Sequence, residues 1–219
     1  MNNTTILKLL ELLEQDNKQA IKEILTSEML NSTDRKAQKI YNIVKKYLSQ
    51  KGIREICKNI NHKNGKQFIC DGYTLHIFNN YKNELDTLPQ ATEEESINYP
   101  AIYNSNNYEF HDQTKEDKFL IENIKKYINF VKSQPNRFKK DTISVYYHEL
   151  EFDAEYLNTS FDLHQKDIDT MQIAYNSNTL VFKGNDVDSL ILPLRTDTER
   201  LEKVKQVMQD FKNKLKGEE

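Results

Sequence analysis

Five histidines, two cysteines and a run of glutamates are the residues whose spacing decides what chemistry this 219-residue chain can do. His62, His76, His111, His148 and His164 include no pair at i, i+4, the spacing that sets two imidazoles on one helix face. No H-E-x-x-H or G-x-S-x-G occurs, and five glycines leave no room for a phosphate-cradling loop. Cys57 and Cys70 cannot complete a zinc site alone. Cys70 falls in an apolar strand, where a thiol is buried and inert. Glu93-Glu94-Glu95 are adjacent, so they do not share a face and read as a solvated loop. These patterns predict no enzyme, no metal and no cofactor.

The remaining candidate is electrostatic. Lys125, Lys126, Lys132, Arg137, Lys139 and Lys140 form the densest basic cluster, which suits sequence-independent contact with DNA phosphates. Glu116, Asp117 and Glu122 share the helix, and the net charge is −3. Any DNA contact, through Lys125, Lys126, Arg137, Lys139 and Lys140, is therefore expected to be weak. Twelve tyrosines, among them Tyr99, Tyr103, Tyr108, Tyr146 and Tyr147, suit a protein–protein surface and half-buried packing equally.

Composition bounds the class. No run reaches the ~18–20 apolar residues of a membrane span, and the first residues lack a basic n-region and a cleavage site. A cytoplasmic protein without a membrane partner is expected. There are 26 Lys against five Arg, and 23 Asn, a bias expected of an AT-rich genome such as that of a low-GC bacterium or its phage.

Apolar periodicity sets the elements that would position these groups. Ile6, Leu9, Leu10 and Leu13 predict a first helix, and residues 17–27 a second. Ala37, Ile40, Tyr41, Val44, Tyr47 and Leu48 predict a third, capped by Ser32 or Thr33 and ended by Gly52. A short helix through Ile53, Ile56 and Ile60 follows. Residues 66–70 and 73–78 read as strands beside Asn64-Gly65 and Asp71-Gly72 turns. Residues 81–114 read as a linker or irregular excursion. Residues 116–133 predict a helix and 142–146 and 149–152 strands. A helical turn over 153–161 is capped by Asp153, and strands follow at 168–175, 179–183 and 189–194. A last helix over 197–215 carries Leu201, Val204, Met208, Phe211 and Leu215 as an apolar stripe that must be buried. We expect an α+β fold: a helical region ending in a hairpin (1–80), the linker (81–114), and an α+β unit with a C-terminal helix (115–219). Phe152 and Tyr156 are expected in its core. The last helix is expected to be an interface element, its stripe packed on its own domain, on another chain or, the favoured reading, on the N-terminal helices.

Phe152-Asp153-Ala154-Glu155-Tyr156-Leu157, three strands, and then Leu190-Ile191-Leu192-Pro193-Leu194-Arg195 resemble the last domain of bacterial DNA sliding clamps, the β subunit of the replicative polymerase. Those proteins show an F-N-A-x-Y-L start and an L-I-M-P-M-R close at this separation. Cys70-Asp71-Gly72-Tyr73-Thr74-Leu75-His76 is similar to their T-D-G-H-R-L-A hairpin. The resemblance covers about 80 residues of the second half and 15 of the first. It implies antiparallel clamp-like units and a partner-peptide pocket near the closing motif. The chain departs from the family in three ways. It has room for two domains at most where clamps have three, about 24 residues follow Arg195, and the helix matching a pore-facing one carries Asp153, Glu155 and Asp162 with no Lys. A surface that rides on phosphates is basic. The resemblance thus implies a non-enzymatic, clamp-related protein of a phage or mobile element, acting in DNA replication through a protein partner: a replication or host factor, or a second copy of itself. The alternative is an anti-defence or regulatory binding protein unrelated to replication.

Overall fold

Helix α3 (Arg35–Leu48) shows most plainly how the apolar spacing was satisfied: Ala37, Ile40, Tyr41, Val44, Tyr47 and Leu48 are all buried. The computed structural model of the chain describes residues 3–33, 35–49, 55–79, 85–134, 142–165 and 167–217. They belong to two compact units, one of Met1–Asp71 with His76–Ile102, the other of Gly72–Leu75 with Tyr103–Glu219. The fold is α+β.

In the first unit α1 (Asn3–Glu14) packs on α2 (Lys18–Thr33), and α2 on α3. Ser32 and Thr33 are the last residues of α2, and Gly52 lies outside the described residues. In place of the helix through Ile56 there is a single 3-10 turn, Glu55–Lys58. Strands β1 (Asn61–Lys63) and β2 (Lys66–Cys70) pair antiparallel across Asn64-Gly65. Both turn residues have positive φ, 52° and 71°, as a two-residue hairpin of matching twist requires. Strand β3 (Thr74–Phe78) follows the second turn. Cys57 and Cys70 are buried and form no disulfide.

The stretch expected to be a linker is packed where it is described. Leu85, Leu88, Ala91 and Tyr99 are buried in the first unit, and the Ile60 N–H and carbonyl bond the backbone at Pro89 and Ala91. The two units meet in sequence at Ile102–Tyr103, inside the expected excursion. Irregular composition misled here because Asn and Pro signal turns equally well on a packed loop and on a free one.

The second unit begins with α4 (Lys115–Lys132), started by a capping box between Thr114 and Asp117. Strands β4 (Ser144–Tyr147) and β5 (Leu150–Asp153) make a hairpin that pairs Val145 with Phe152. The Asp153 side chain caps α5 (Ala154–Leu163) by accepting from the Glu155 N–H. Strands β6 (Gln172–Asn176), β7 (Thr179–Lys183) and β8 (Val187–Ile191) form an antiparallel meander. Ile168 lies in a turn before β6, and Leu192–Leu194 have left the sheet. Helix α6 (Thr198–Lys216) closes the unit, capped by Asp197.

The stripe on α6 is spent inside its own unit. Val204, Met208 and Phe211 are buried, Leu201 and Leu215 half-buried, and α6 packs on α4, β4 and β5. The Phe211 ring meets Tyr127 edge-on at 5.3 Å and Phe130 at 5.5 Å. This corrects the expectation of an interface helix: a stripe shows that an apolar face is covered, not by what. Phe152 is buried as expected, whereas Tyr156 is half-buried and stacks on Tyr73 at 6.4 Å.

Candidate functional site

A groove of about 570 Å³ runs beside the segment that follows β8. Leu192, Pro193, Leu194, Arg195 and Thr196 form one wall, Leu201 of α6 the end, and Glu149, Leu150, Glu151, Ser177 and Asn178 the opposite lip. Its size suits a few side chains of a ligand, and an aliphatic strip at Leu192, Pro193, Leu194, Leu150 and Leu201 lies among six polar or charged residues, Glu149, Glu151, Ser177, Asn178, Arg195 and Thr196. Proline cannot donate to a ladder, so Pro193 helps end the strand and frees this segment to line the groove. The Leu194 N–H still bonds the Glu151 carbonyl at 2.8 Å, and the Leu192 N–H bonds the Tyr73 carbonyl at 2.9 Å. The wall is thereby pinned on both sides. Helix α6 contributes an end wall instead of covering the groove.

One lip is a strained turn. His148 and Glu149 join β4 to β5 with φ of 46° and 63°, a geometry usually met with Asn-Gly. Two non-glycine residues there cost about 1–2 kcal/mol each. What offsets the strain is a buried carboxylate on α4. The His148 Nε2 lies 2.9 Å from Asp117 Oδ1, and the Tyr147 hydroxyl donates to the same oxygen at 2.5 Å. The Thr114 N–H and hydroxyl donate to Asp117 Oδ2. On its other side the His148 ring stacks on Tyr175, 3.8 Å between centroids and 12° apart. Burial alone would raise the Asp117 pKa. The hydrogen bonds from His148, Tyr147 and Thr114 outweigh it and hold the carboxyl well below the usual range. Burial, and then Asp117 itself, pushes the Tyr147 hydroxyl up, so it remains a donor.

A depressed carboxyl stabilises the fold above its unfolded pKa near ~4, and that contribution is lost as pH falls through the folded value. Asp117→Asn is therefore expected to lower stability at pH 7 and to flatten the loss of stability below about pH 4. Urea unfolding midpoints at pH 7, 5, 4 and 3 check this. An unchanged acid slope in the variant would place the titration elsewhere. Asp167, whose carboxyl is also held low, leaves a residual slope of the same sign.

A second buried constellation was not foreseen from sequence. His164 Nε2 lies 3.0 Å from Ser189 Oγ, and His164 Nδ1 lies 3.6 Å from Asp167 Oδ1. These are the relative positions of a nucleophile, a base and its orienting acid. All three are buried, and Ser189 sits in mid-strand on β8 at 1 % exposure, where a substrate carbonyl has no approach. The arrangement serves instead to hold a turn. Asp167 Oδ2 accepts from the Asn185 and Asp186 N–H groups, which fixes the β7–β8 connection. No spacing signal links residues 164, 167 and 189, because the sheet brings them together.

Of the basic cluster, Lys125, Lys126 and Lys132 fall among the described residues. Lys125 pairs with Asp162 at 2.8 Å, and Lys132 with Glu155 at 3.0 Å, so α5's acids neutralise that face. Lys126 lines a separate groove with Lys115, Lys212 and Lys216, beside Glu116 and Glu122. Arg137, Lys139 and Lys140 lie outside the described residues. Among the described residues no group of three or more His, Cys, Asp or Glu is placed to hold a metal ion, and no helix is long and apolar enough to cross a membrane.

The fold of the second unit defines an antiparallel α+β domain with a groove at the end of its last strand. No family model matches the chain, and no curated protein or solved structure matches it either.

Proposed function

We propose that the chain is a non-enzymatic, clamp-related protein of a phage or mobile element. It acts in DNA replication by holding a short segment of a partner protein in the groove beside Leu192–Arg195. The observation that carries this reading is the groove's position. It lies where the closing motif leaves β8, at the end of a strand–helix–three-strand run from β5 to β8. That is where the clamp resemblance implies a partner-peptide pocket. Leu192, Leu194 and Leu201 offer an aliphatic bed, and Arg195 and Glu149 give a charge of each sign for orienting a bound segment. DNA is the weaker contact in this reading, in keeping with the net charge of −3 and with the pairing of Lys125 and Lys132 to acids of α5.

Fluorescence anisotropy with a labelled ten-residue peptide carrying two adjacent large apolar residues, matched to the Leu192, Leu194 and Leu201 bed, tests the reading. A dissociation constant in the micromolar range is expected, weakened at least ~10-fold by Leu194→Asp, since an aliphatic anchor pocket loses that much when charged. Absence of binding at about 100 μM, or binding indifferent to Leu194→Asp, would remove the groove from the function.

A further inference from the structure

We propose that the chain pairs with a second copy of itself through the outer face of α1. The helix has two apolar sides. Leu9 is buried and Leu12 half-buried on the side that meets the rest of its unit. Ile6, Leu10 and Leu13 recur at i, i+4 and i+7 on another side with Leu7 beside them, and stand 41 %, 52 %, 60 % and 62 % exposed. Leu25 of α2, the helix packed against α1, is 47 % exposed. These five are among the eight exposed large hydrophobics of the described residues, so the apolar surface is concentrated on this one helix pair. At such exposures each offers roughly 100 Å², and the face is on the order of 500 Å², a size that marks interaction sites.

That area matches what a homodimer asks of each subunit. An interface of about 800 Å² per partner that is ~65 % apolar needs about 500 Å² of apolar surface from each side. A two-fold contact is self-complementary, so an apolar face meets an identical one with no like charges at its centre. Lys8 lies off this face by helical spacing, Glu11 flanks it beside Leu7, and Glu14 falls within its arc only at the C-terminal end of the helix, away from the centre. A lipid surface is the poorer fit. Interfacial helices carry Lys or Arg along the polar side, and α1 has one lysine against two glutamates. The pairing rests on α1 and α2 alone and is independent of the groove reading.

Sedimentation velocity of the full chain from about 1 to 100 μM, at ~0.15 M salt, is the test. A concentration-dependent monomer–dimer equilibrium is expected. Leu10→Glu should raise the dissociation constant at least ~30-fold, and Leu13→Ser by a smaller factor. Both positions are more than half exposed, so the melting temperature at low micromolar concentration should stay within a degree or two of wild type. A monomer throughout the range overturns the proposal, as does a dimer that both substitutions leave intact. Cosedimentation with phosphatidylcholine–phosphatidylglycerol vesicles that Leu10→Glu abolishes would assign the face to lipid and overturn it as well.

Discussion

Gly184→Ala is expected to destabilise the second unit by about 3–5 kcal/mol, although it adds only one methyl group. Gly184 starts the turn between β7 and β8, and its N–H bonds the Val187 carbonyl at 3.0 Å. A Cβ there would overlap Asp167 Oδ2 and stand 2.8 Å from His164 Nδ1. Neither neighbour is a flexible tip that can swing aside. Asp167 is fixed by two backbone N–H groups, and His164 by Ser189 on β8. Overpacking costs about 1–3 kcal/mol. Displacing a buried carboxylate from its donors adds the desolvation penalty of a charge left without partners. Glycine is needed here for space and not for a left-handed backbone, so Ser fails as Ala does. Chemical denaturation of Gly184→Ala alone and in an Asp167→Ser background decides the cause. If the clash is with Asp167, the shorter serine should recover at least ~1 kcal/mol of coupling. Strictly additive effects would mean that the turn has other reasons for its glycine.

How far the fold could be read beforehand depended on whether a signal was local. Helices α3, α4 and α6 followed from their apolar spacing, and Asp153 caps the helix that follows it, whereas the caps of α4 and α6, Thr114 and Asp197, were not read from the sequence. The Asn64-Gly65 turn was legible because its φ values demand those residues. The His148-Glu149 turn was not, since nothing in either residue asks for positive φ. A carboxylate on α4 and a ring on β6 impose it. The limits of β8 shifted by two or three residues because Leu192 and Leu194 look like strand but line a groove. The candidate site followed the same rule. The Leu192–Arg195 wall was visible as a motif, whereas its opposite lip comes from residues 149–151 and 177–178. Within the basic cluster, the partners of Lys125 and Lys132 are acids of α5, 37 and 23 residues away in sequence. A charge run reports its neighbours in sequence, and its field is set by neighbours in space.

Phe152→Ala is expected to cost about 3–5 kcal/mol, the usual loss for a wholly buried phenylalanine whose site cannot collapse. Phe152 is fully buried, opposite Val145 in the β4–β5 ladder, with the Tyr147 ring at 6.4 Å. Its neighbour Glu151 points the other way and is held by Arg200 of α6 at 2.8 Å. Alternation along β5 therefore sends one side chain to the core and the next to an ion pair. A slip of one residue would exchange them, burying a carboxylate in the apolar core and turning the ring out. No neighbouring register is available to absorb the truncation, so the cavity remains. With a typical domain stability of ~5–15 kcal/mol, the variant should sit near the edge of folding. Phe152→Leu, which keeps most of the volume, should lose roughly 1–2 kcal/mol. Tyr156→Ala, half-buried one turn into α5, should lose clearly less than Phe152→Ala. Equal losses at 152 and 156 would show that the core is centred on α5 rather than on the hairpin. A loss below ~1 kcal/mol at Phe152 would show that the β4–β5 register is wrong.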